Sequence, residues 1–108
     1  MSKKIWSNYS KRLDLIDDQF ERFDLKYKNI PLNENAVKQL AQTRLLYHEV
    51  SAAYENENAA YLKENLSTLE NNLTQLISQA ETTMADFFKD AALFFFLAFS
   101  ASAIPLGV

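Results

Sequence analysis

A chain of 108 residues has room for one domain, and its net charge of -3 gives no general basic footprint for nucleic acid. The absence of cysteine excludes disulfides, thiolate catalysis and cysteine-ligated metal sites. Met1 to Tyr9 carry Lys3 and Lys4 but no apolar core behind them, so they do not read as a secretory signal.

The first element is the clearest. Trp6, Tyr9, Leu13, Ile16, Phe20, Phe23, Tyr27 and Ile30 alternate in steps of three and four, an unbroken heptad stripe. Asp14, Asp17, Asp18, Glu21, Arg22, Asp24, Lys26 and Lys28 fill much of the opposite surface. This pattern predicts a helix over about 5–30 that forms one wall of a bundle core, with Pro31 stopping it.

From Leu32 to Ile104 there is neither proline nor glycine. The tetrapeptide Asn-Glu-Asn-Ala nevertheless occurs twice, at 33–36 and 56–59. Asparagine is a favoured N-cap because its side chain accepts from an orphan N–H of the first turn. The first copy predicts the start of a second helix near 34. The second copy either starts a third helix near 58 or lies within one continuous helix.

Leu62, Leu66, Leu69, Leu73, Leu76 and Ala80 form a second stripe, again in steps of four and three. Its phase extends back through Ala59, Ala52 and Leu45, with His48 and Glu55 at weak positions, and forward to Phe87. Leu40, Tyr47, Tyr54 and Tyr61 recur every seven residues beside it and read as a second packing face. Ala52-Ala53 and Ala59-Ala60 leave room for bulky neighbours such as Trp6, Phe20 and Phe23.

The expected fold is all-α. Either three helices of similar length, about 5–30, 34–56 and 58–88, form an up-down-up antiparallel bundle, or a helical hairpin carries a long stalk. Residues 1–88 form the body, and 89–108 form a C-terminal hydrophobic helix. From Ala91 to Val108 there is no charge. As a helix this stretch is ~27 Å long, against a hydrocarbon thickness of ~30 Å. Leu93, Phe94, Phe95, Phe96, Leu97, Phe99 and Ile104 favour insertion, whereas Ser100, Ser102 and Pro105 oppose it.

No catalytic constellation emerges. His48 is the only histidine, without a second His or a Cys to complete a zinc site. Asp14, Asp17, Asp18 and Glu21 read as a solvated helix face, and the single glycine, Gly107, leaves no phosphate-cradling loop. The chain is expected to be a non-enzyme without cofactor, metal, nucleic acid or small-molecule substrate.

These features describe a small membrane-anchored adaptor or scaffold with a single C-terminal span and a cytoplasmic body. It would act through a protein partner or self-association, with the stripe of Trp6, Tyr9, Leu13, Ile16, Phe20, Phe23, Tyr27, Leu62, Leu66, Leu69, Leu73 and Leu76 as core or interface. The alternatives are a soluble helical binding module, such as a secretion chaperone, immunity protein or assembly subunit with the apolar segment covered by protein, and a pore-forming component.

Overall fold

The structure, a computed structural model, describes the backbone of residues 3–103 and the side chains of residues 3–91. Within those limits the chain is all-α, with helices α1 (Lys3–Lys26), α2 (Glu34–Glu55) and α3 (Ala59–Ala103).

The α1 helix ends at Lys26, four residues earlier than its apolar stripe suggests. Pro31 is the reason. It bars residue 30 from helical geometry, and its ring would clash with the carbonyl of residue 27. The Tyr27 N–H still bonds the Phe23 carbonyl at 3.0 Å, after which Ile30 turns back onto the Tyr27 carbonyl at 3.2 Å. Asn33 then caps α2, its side chain accepting from the Ala36 N–H at 2.8 Å.

A true break separates α2 from α3, so the single continuous stalk helix is not formed. Glu57 adopts φ 57°. The Glu57 N–H bonds the Tyr54 carbonyl at 3.1 Å and the Asn58 N–H bonds the Ala53 carbonyl at 2.8 Å. This pair of bonds is the Schellman C-terminus, here with glutamate where glycine is usual. Asn58 immediately caps the next helix, its side chain accepting from the Tyr61 N–H at 3.1 Å. The two Asn-Glu-Asn-Ala copies thus work differently. In the first, the leading asparagine is the N-cap; in the second, Asn56 closes α2 and Asn58 opens α3.

The core lies along all three helices. Leu13, Ile16 and Phe20 of α1 join Val50 and Ala53 of α2 and Leu62, Leu66, Leu69 and Leu73 of α3 in one buried cluster. Phe23, Tyr27, Leu76 and Ala80 form a second cluster, closed at its edge by Ile30, Leu32 and Met84. Each leucine removed from water contributes roughly 1.5–3 kcal/mol.

Two expectations are corrected. The helices are not of similar length: α3 has 45 residues, against 24 in α1 and 22 in α2, and it passes residue 88 without interruption. The buried face of α2 is also different, consisting of Ala36, Thr43, Val50 and Ala53. Leu45 is 59% exposed, and Ala52 is exposed as well. The left-handed residue at Glu57 ends the regular rotation of α2, so the phase of the α3 leucines cannot be carried back across it.

Candidate functional site

Of the α1 stripe, Leu13, Ile16, Phe20, Phe23 and Tyr27 are buried. Trp6 and Tyr9 are half-buried at its N-terminal edge, where Trp6 packs edge-on to Tyr9 and, at 5.5 Å between ring centres, to Tyr54 of α2. On α3, Leu62, Leu66, Leu69, Leu73 and Leu76 are all buried. The buried members of both stripes therefore hold the body together. Leu40, Tyr47, Tyr54 and Tyr61 lie half-buried against the first cluster.

Each pair of helices is joined by a tyrosine hydroxyl donating to a carboxylate. Tyr27, just beyond α1, reaches Glu81 of α3, while Tyr47 of α2 reaches Asp17 of α1 at 2.9 Å. Tyr61 of α3 reaches Glu49 of α2 at 2.8 Å. Burial and the Glu81 contact push the Tyr27 hydroxyl far above its ordinary pKa. Burial and Asp17 raise Tyr47 in the same direction, and the Glu49 hydrogen bond raises Tyr61. Glu81 is shifted down, first by Lys26 and then by Tyr27.

Two charged clefts flank this frame. The first lies between α1 and α2, with Asp17, Glu21 and Asp24 on one rim and Arg44, Tyr47 and His48 on the other. Its volume is about 310 Å³. The Arg44 guanidinium lies over the Phe20 ring, 5.2 Å from its centre, and pairs with Asp24. Asp18 pairs with Arg22. Two carboxylates of the acidic face read as solvated, Asp17 and Asp18, thus accept a helix-to-helix and an i,i+4 contact. His48 is exposed, its ring 5.8 Å from that of Tyr47.

The second cleft lies between the N-terminal turns of α1 and α3. It is open, has a volume of about 670 Å³, and gathers Lys4, Lys11, Arg12 and Lys63 beside Ile5 and Tyr9. Arg12 donates through Nε to Glu70 at 3.0 Å and through Nη2 to Ser67 at 3.3 Å. The hydrogen bond to Glu70 raises the Arg12 pKa further. Sequence reading sees Lys3-Lys4 and Lys11-Arg12 as short separate pairs. The approach of Lys63 has no local signal, because it depends on how α3 lies against α1.

Among the described residues no cluster of His, Cys, Asp or Glu is arranged to hold a metal ion. Among them, too, no helix is long and apolar enough to cross a membrane. The side chains expected in a membrane, Leu93, Phe94, Phe95, Phe96, Leu97, Phe99 and Ile104, lie outside the described residues. Compared with family models, curated proteins and solved structures, the chain matches none.

Proposed function

We propose that the chain is a membrane-anchored helical adaptor whose 91–108 segment spans the bilayer and whose body engages a protein on the cytoplasmic side. The observation that carries this reading is the course of α3. Its buried stripe ends at Ala80, but the helix continues past Phe87 and Phe88, 42% and 56% exposed, toward the uncharged segment. Lys89 and Asp90 are the last charges before that segment, which suits the boundary between water and hydrocarbon.

The same reading takes the body as an up-down-up antiparallel bundle. The pairing order supports it. Along α1, Trp6, Asp17 and Asp24 meet Tyr54, Tyr47 and Arg44 of α2, in falling number. Arg12 and Lys26 meet Glu70 and Glu81 of α3, in rising number.

The test compares the full chain with a full-chain Phe95→Lys/Leu97→Lys variant by cell fractionation and carbonate extraction. A lysine at the centre of a span costs about 2.5–3.5 kcal/mol of insertion free energy. The parent is expected in the carbonate-resistant membrane pellet and the variant in the soluble fraction. A parent that washes off, or purifies monodisperse without detergent, overturns the anchor and leaves the soluble binding module.

A further inference from the structure

We propose that the cleft between the N-terminal turns of α1 and α3 is a docking site for a short acidic segment of a partner protein. Lys4 and Lys11 stand seven residues apart, two turns along one side of α1, and Lys63 faces them from α3. Among the described residues the ion pairs engage Arg12, Arg22, Lys26 and Arg44, which leaves the three cleft lysines without an intramolecular counter-charge. Arg12 lines the same cleft but is tied to Glu70 and Ser67. Ile5, 42% exposed, adds an apolar contact within the same cleft.

The charge around the cleft selects the occupant. Immediately beyond it, α1 carries Asp14, Asp17, Asp18, Glu21 and Asp24. A nucleic-acid backbone continuing along the helix would meet these carboxylates after two turns, and phosphate binding needs a longer basic track. A short acidic peptide fits within the basic turns and is repelled from the rest of α1, which sets its register. A lipid surface is disfavoured by position. From Lys63 to Ala91 the rise of α3 is about 42 Å, so under the anchor reading the cleft stands well away from that membrane. Only this last argument rests on the anchor.

The test uses the full chain in non-ionic detergent and a short fluorescent peptide of alternating Glu and Leu, read by anisotropy. A peptide with Lys replacing Glu is the control. The acidic peptide is expected to bind, with affinity falling as salt rises. Binding should weaken about tenfold or more in Lys4→Glu/Lys11→Glu/Lys63→Glu, and by less in the corresponding Gln variant, while Lys28→Glu leaves it unchanged. All three lysines are exposed, and thermal melts monitor the fold; the Gln variant carries the test if the Glu variant unfolds. No preference over the Lys peptide, or binding unaffected in both triple variants, overturns the proposal. Tighter binding of duplex DNA or anionic vesicles through the same lysines overturns it too. A chain that needs no detergent overturns the anchor alone and leaves this measurement standing.

Discussion

The Tyr27 hydroxyl donates to Glu81 across 54 residues of sequence, and Lys26 donates to the same carboxylate oxygen. The contact joins Lys26, the last residue of α1, and Tyr27 just beyond it to α3, shortly before Pro31. It therefore ties this end of α1 to α3 at Glu81.

Stability should fall in alkali. The Tyr27, Tyr47 and Tyr61 hydroxyls are all raised above their ordinary value of 10.0. Above that value the unfolded chain releases these protons while the folded chain keeps them. The unfolded state then binds fewer protons, and stability declines as pH rises. The melting temperature of the parent is expected to drop above pH ~10, and that of Tyr27→Phe to drop less steeply. A parent curve that stays flat through this range would show that these hydroxyls are not held as described.

The acid limb involves Glu81. Its carboxyl is held below the ordinary 4.5, so its contribution is complete above that value and disappears as pH falls through the lower folded value. Glu81→Gln is expected to flatten the acid side of the stability curve relative to the parent. Superimposable acid limbs would remove Glu81 as a contributor.

Phe20 and Leu25 lie five residues apart on α1 with opposite fates, 5% and 74% exposed. Phe20→Ala is expected to cost about 3–5 kcal/mol, most of a small domain's stability. Leu25→Ala should change it by less than about 0.5 kcal/mol. Denaturant titration of the two variants in the full chain measures both, and equal midpoints would show that α1 is not packed through Phe20.

The phase of the α3 leucines, carried back to Leu45 on α2, has its own test. Leu62→Ala is expected to cost about 2–5 kcal/mol, whereas Leu45→Ala, at an exposed site, should be nearly silent. A large loss at Leu45 would mean that α2 is rotated toward the phase of the α3 leucines.

At the α2–α3 turn, Glu57 occupies a left-handed conformation that costs a residue with a Cβ about 1–2 kcal/mol. Glu57→Gly should relieve part of this and raise the melting temperature. Asn58→Ala should lower it by removing the cap, a loss of about 1 kcal/mol. Destabilisation by the glycine would show that the turn is not a Schellman C-terminus.

The sequence by itself determined what is local. The steps of three and four from Leu13 to Tyr27 and from Leu62 to Ala80 name the residues that are buried, because one helix face is a property of spacing alone. The N-cap at Asn33 was legible for the same reason: it needs only the next three residues. Tertiary structure decided the rest. On α2, Leu40, Leu45, Leu46, Tyr47 and Val50 point in several directions, and small or polar Ala36 and Thr43 occupy the buried line. Only packing between α1 and α3 selects that face. Whether the second Asn-Glu-Asn-Ala forms a turn is a balance between cap bonds and a strained Glu57, settled by what the returning helix buries. The cleft of Lys4, Lys11 and Lys63 exists because α1 and α3 bring their first turns together, and no spacing within either helix encodes a distance between them.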